Sequence, residues 1–105
     1  MEIRSSRLFK QQVVDLLYYL KATYGRRVTL RVRDEIENKI FLLKSFPDMG
    51  TVELLLEKEP LNYRYLVIKH NKIIYTVEDN YIFIHLLWDC RQDPQHLIDL
   101  IKAVD

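Results

Sequence analysis

The chain of 105 residues has a single cysteine, Cys90, so no disulfide forms within it. That excludes the stapled framework of a small secreted domain. Two glycines and three prolines leave little room for long loops or disorder. Sixteen Lys and Arg face fifteen Asp and Glu, a net +1, so no strong overall field draws the chain to nucleic acid. No apolar run reaches the ~20 residues of a membrane span, and the N-terminal MEIRSSRLFKQQ lacks the apolar core of a secretory signal. The cytoplasm is the expected compartment, with no membrane partner. Three histidines and one cysteine show no metal-ligand spacing. There is no glycine-rich phosphate loop and no Ser-His-Asp pattern, so neither metal nor cofactor is expected.

What is present is apolar, 49% hydrophobic against 30% charged, in a length that suits one domain over residues 1–105. Ser5 or Ser6 is a suitable N-cap, and Phe9, Val13, Leu16, Leu17, Leu20 and Tyr24 follow at helical spacing. Gly25 stands where a glycine ends a helix. A second helix follows, with Val28, Val32, Ile36, Ile40 and Leu43 on one stripe and Arg31, Arg33, Asp34, Glu37 and Lys39 on the other face. The short link predicts an antiparallel α-hairpin.

Phe46-Pro47-Asp48-Met49-Gly50 stops the second helix. Thr51–Glu57 is predicted as a long strand, and KEPLN as a loop. Tyr63–Arg91 reads as three antiparallel strands turning at Asn71-Lys72 and Asp79-Asn80. Asp93-Pro94 opens a short helix over His96–Val104, and Met1–Arg4 suits a short edge strand. The order β-α-α-β-β-β-β-α defines an α+β domain. Its N-terminal α-hairpin packs on a mostly antiparallel sheet of four to five strands, with a short C-terminal helix.

Alternation places Ile82, Ile84, Leu86 and Trp88 on one face of the last strand, toward the hairpin. Tyr81, Phe83, His85, Leu87, Asp89 and Arg91 fall on the other. Cys90 shares the first alternation and is expected to be a small buried hydrophobe. Lys69, His70 and Lys72 surround a turn and are expected to be solvated. The second face is too apolar for water, so it is covered by a partner or by the C-terminal helix. The shortness of that helix favours a partner, with Tyr75, Tyr81, Phe83 and Leu87 as the contacts. Strand register stays open, and with it whether Arg64 and Arg91 share a face.

The helical hairpin, the turn LKSFPDMG over Leu43–Gly50 and the run YRYLVIKHNKIIYTVEDNYIFIHLLWDCRQDP resemble the RelE/ParE superfamily, the toxin halves of type II toxin–antitoxin systems. The resemblance spans about Arg7 to Pro94. Its most specific pieces are that turn, Arg64, Tyr75 and Arg91. It implies a growth inhibitor of the kind tied to plasmid stabilisation, held inactive in a hetero-oligomer by a cognate antitoxin. RelE-like members cleave mRNA on the ribosome, where basic groups neutralise the developing phosphorane. Here Arg64 and Arg91 would serve, with His85 as a general base. ParE-like members poison DNA gyrase and need no nuclease site. The tyrosine expected after Arg91 is missing, since Gln92, Asp93 and Pro94 follow, and Thr51–Glu57 carries Glu53 and Glu57 in place of a basic set. These departures favour the ParE-like side. A member that only binds its antitoxin is the third alternative.

Overall fold

A computed structural model describes residues 1–103. Helix α1 (Arg7–Tyr24) starts at Ser6, whose hydroxyl accepts the Phe9 N–H at 3.0 Å. Helix α2 (Arg26–Leu43) follows after one linking residue, Gly25. Gly25 has φ 86° and ψ 179°, a region essentially closed to side chains with a Cβ. The two helices therefore fold back as a hairpin. Phe9, Val32, Ile36 and Leu43 are buried against the sheet, with Val13, Leu16, Leu20 and Ile40 packed partly around them.

The sheet has strands β1 (Glu2–Ser5), β2 (Thr51–Val52), β3 (Tyr63–Ile68), β4 (Asn71–Val77) and β5 (Tyr81–Asp89), in spatial order β1-β5-β4-β3-β2. β1 runs parallel to β5, and the other pairs are antiparallel. Helix α3 covers Pro94–Ala103; Val104 of the predicted helix lies outside the described residues. The α+β architecture is as expected, with local corrections.

The predicted strand Thr51–Glu57 stops after Val52. The Glu53 carboxylate turns inward and accepts the Leu55 N–H at 3.1 Å, opening a single 3-10 turn over Leu54–Leu56. The turn placed at Asn71-Lys72 is at Lys69-His70 instead, since Ile68 pairs with Asn71. Lys69 takes φ 56° there, a region in which glycine or asparagine is at less cost.

The larger correction concerns the faces of β5. Ile74 stands opposite Leu86, but Tyr75 stands opposite Ile84, so His85 is an extra, bulged residue. A one-residue slip reverses the alternation. Ile82, Ile84 and then Leu87 face the hairpin. Leu86 and Trp88 face the other way and join Leu56, Tyr63, Ile74, Leu97 and Ile101 in a second core. α3 supplies Leu97 and Ile101, so this helix covers much of the face that sequence reasoning left to a partner. Its ten residues suffice because the bulge concentrates the large side chains beneath it. Cys90 lies beyond the strand end and is exposed.

Side chains complete the sheet edges where the short outer strands end. The Ser6 N–H donates to the Ile84 carbonyl at 3.0 Å, and its hydroxyl donates to the His85 carbonyl. The Gln12 amide then pairs with Leu87, donating to its carbonyl at 2.9 Å and accepting its N–H at 2.7 Å. On the opposite edge the Lys39 ammonium donates to the Val67 carbonyl. These contacts satisfy backbone groups that would otherwise template another strand, and they fix the hairpin to the sheet.

Candidate functional site

At one end of the sheet Tyr75 is fully buried and holds the turn after α2. Its hydroxyl donates to the Pro47 carbonyl at 2.8 Å and accepts the Gly50 N–H at 2.9 Å. Burial pushes the phenol pKa up. Arg64, opposite Tyr75 in register, donates through Nη1 to the carbonyls of Gly50 at 2.8 Å and Asp48 at 3.3 Å. The Asp48 carboxylate stands 3.9 Å from Nε. Gly50 is required by proximity: a Cβ would lie 2.5 Å from the Tyr75 hydroxyl and 2.8 Å from the Tyr65 carbonyl. Three of the most specific pieces of the sequence resemblance, the turn, Arg64 and Tyr75, thus form one hydrogen-bonded unit.

Arg91 lies at the other end. Its Nε and Nη2 donate to the two oxygens of Asp89 at 3.0 and 2.7 Å, and its backbone N–H donates at 2.9 Å. The Arg91 hydrogen bonds hold the Asp89 carboxyl at about 2. Ile84, level with Arg64, is five residues before Asp89, which is ~17 Å along a strand. Both arginines lie on the hairpin side of the sheet, but the fold does not bring them together.

His85 is buried on the bulge. Its Nε2 and the Thr76 Oγ1 share a hydrogen bond at 2.8 Å, and the rings of Tyr63 and Phe83 stand edge-on at 5.1 and 4.7 Å. Desolvation lowers its pKa to about 4, so it is neutral near pH 7. Of the four side chains expected at a partner surface, Tyr75 and Leu87 are buried inside the chain and present no surface. Tyr81 and Phe83 are half-buried, with the Arg4 guanidinium 4.2 Å over the Tyr81 ring.

Two features escaped sequence reasoning. Lys72, expected in solvent, forms a 2.7 Å ion pair with Glu53, and both are largely buried, at 18% and 3% side-chain exposure. The Lys72 ammonium also lies 4.1 Å over the Tyr65 ring. The signal was a lone acid ahead of the apolar run Leu54–Leu56. The second is a cleft of about 290 Å³ near the Gly25 tip of the helical hairpin. Leu16, Leu20, Val28, Val32 and Ile68 form its aliphatic lining, while Tyr19, Tyr24, Lys69, His70 and Arg91 supply aromatic and polar groups. Sequence periodicity had placed those aliphatics in closed packing.

Arg26, Arg27 and Arg31 line a separate open concavity with Leu30 and Asp34, and neither they nor Lys21 and Lys69 are in an ion pair among the described residues. Among the described residues no group of His, Cys, Asp and Glu could hold a metal ion, and no helix is long and apolar enough to cross a membrane.

The architecture is α+β, a helical hairpin on a five-stranded sheet. No protein-family model matches the chain, and no curated protein does. Among solved structures it is similar to a chain of the chromosomal ParDE TA system from P. aeruginosa, with a TM-score of 0.67 over 83% of this chain and 92% of that one. The identity is 15%, so the likeness is one of fold.

Proposed function

We propose that this chain is the toxin of a type II toxin–antitoxin pair, one domain over residues 1–105. It inhibits growth in the cytoplasm by binding an essential target and is neutralised by a cognate antitoxin in a hetero-oligomer. The observation that carries this is the fold shared over most of both chains with a member of a ParDE TA system. The Arg64–Tyr75–Gly50 unit, standing where the sequence resemblance is most specific, supports it.

Binding is favoured over cleavage by the placement of the candidate catalytic groups. Arg64 is engaged by the turn carbonyls, Arg91 is neutralised by Asp89, and His85 is buried and neutral. A phosphorane needs its base and its cations around one point, whereas the two arginines stand at opposite ends of the sheet. DNA gyrase is the target that the ParE-like reading implies, and Tyr81 and Phe83 are the aromatic surface proposed for partner contact.

The test is to induce the chain alone in a bacterial host and to compare chromosomal double-strand breaks with transcript 5′ ends. Breaks without phased cuts are expected. Codon-phased cuts would establish ribosome-dependent mRNA cleavage instead, and unchanged growth would leave a chain that only binds its antitoxin.

A further inference from the structure

We propose that the outward face of the first turns of α2 binds the phosphodiester backbone of a nucleic acid. Arg26, Arg27, Leu30, Arg31 and Asp34 recur at the three- and four-residue spacings of one helix face. They line a shallow, open concavity of about 620 Å³. The apolar stripe of Val28, Val32 and Ile36 points the other way, into the packing on the sheet. The three arginines are exposed, and none is in an ion pair among the described residues. The acids that follow Arg31 along the helix are engaged elsewhere. Asp34 pairs with Arg33 at 3.2 Å and Glu35 with Lys39 at 3.7 Å.

This placement costs the helix and returns nothing to the fold. Arg27 and Arg31 repel each other at i,i+4 spacing. Arg26 and Arg27 stand in a first turn without an acidic residue, where the helix dipole disfavours cations. A guanidinium fork meets phosphate oxygens bidentately, and Arg27 and Arg31, ~6 Å apart along the axis, reach neighbouring phosphates of one strand. A carboxylate offers the same fork geometry, so the rest of the surface decides between the two. A docked protein segment needs a desolvated apolar or aromatic anchor. Leu30, half-buried, is the one apolar side chain that the described residues give the lining. Phosphate contacts need no such anchor, because their free energy comes from counterion release. A net charge of +1 gives no long-range attraction, so these arginines act only within ~8 Å at physiological salt.

The probes are a short fluorescein-labelled DNA duplex and a short labelled single-stranded RNA, each titrated with the full chain and read by anisotropy. Three phosphate contacts on the duplex predict ~40-fold weaker binding when NaCl rises from about 50 to about 200 mM. Arg27→Gln or Arg31→Gln removes one contact, and the loss over that range should shrink to ~12-fold. With all three arginines changed to glutamine it should fall within ~2-fold. Glutamine has close to the helix propensity of arginine, so far-UV circular dichroism should be unchanged. Lys58→Gln alters the net charge equally. Lys58 is exposed in the loop before Tyr63, at the other end of β3 from Ile68 and the hairpin tip, so it should keep the wild-type salt dependence. Backbone amide signals over residues 26–34 should shift with either probe, and the tighter probe tells DNA from RNA. The proposal is overturned by any one of four results: no binding of either probe at about 50 mM NaCl, wild-type salt dependence in the triple variant, equal effects of Lys58→Gln and Arg31→Gln, or an acidic peptide of matched charge that binds as tightly as the nucleic acids.

Discussion

Acid should destabilise this protein through one side chain, His85. The residue is 7% exposed, and its ring is hydrogen-bonded to Thr76 and lies edge-on to two aromatic rings. Its folded pKa is about 4, against ~6.5 for a histidine in an unfolded chain. Between these values the unfolded state binds a proton that the folded state refuses, so stability rises with pH across that window. The full contribution is present above pH ~6.5 and is lost as pH falls toward about 4. The gap corresponds to about 3 kcal/mol in all, of which about 2 kcal/mol is gone by pH 5. The assay is urea unfolding at pH 7, 6 and 5 for the chain and for His85→Gln, which keeps a polar group near Thr76 but does not titrate. His70 and His96 are common to both proteins, so their contributions cancel in the difference. Asp89 loses its contribution only below the ordinary carboxylate range, because its pKa is lowered to about 2. The wild-type free energy should fall ~2 kcal/mol further than that of the variant between pH 7 and 5. Parallel slopes would refute the claim that burial of a neutral His85 sets the acid sensitivity.

Gly50→Ala is expected to cost roughly 2–4 kcal/mol by urea midpoint, since the added Cβ meets the buried Tyr75 hydroxyl and a strand carbonyl together. Gly25→Ala should cost about 1–3 kcal/mol from backbone strain alone, because nothing lies within 4 Å of its would-be Cβ. A loss as large at Gly25 as at Gly50, with altered near-UV circular dichroism, would contradict that division. Lys72→Met leaves the Glu53 carboxylate buried without its partner and should lower stability by about 3 kcal/mol. Adding Glu53→Gln to Lys72→Met should recover most of it, and a simple sum of the two single losses would show that the pair is not coupled.

Local chemistry was enough for the helices, the stops and the fold class. Ser6 caps α1 because a serine oxygen there has an orphan N–H to accept, and Gly25 separates two apolar stripes in a backbone region essentially reserved for glycine. The α+β order followed from such signals, each contained within a few residues. The strand Thr51–Glu57 failed because β-propensity cannot register that Glu53 has a lysine waiting across β3. The faces of β5 failed because a bulge is one residue long and leaves no mark on composition, yet it reverses every side chain after His85.

The candidate residues divide along the same line. That Arg64, Tyr75 and the Leu43–Gly50 turn matter together was legible from their order, but their union is a contact between residues up to 28 positions apart. That Arg91 meets Asp89 was within reach of sequence, since the pair is two residues apart. The distance between Arg64 and Arg91, the burial of His85 and the cleft at the hairpin tip were not, because each depends on how far two long elements run past one another. Periodicity assigns a residue to a face but carries no information on its position along the neighbouring strand. Strand register and the bulge supply that position, and they exist only when the chain is folded.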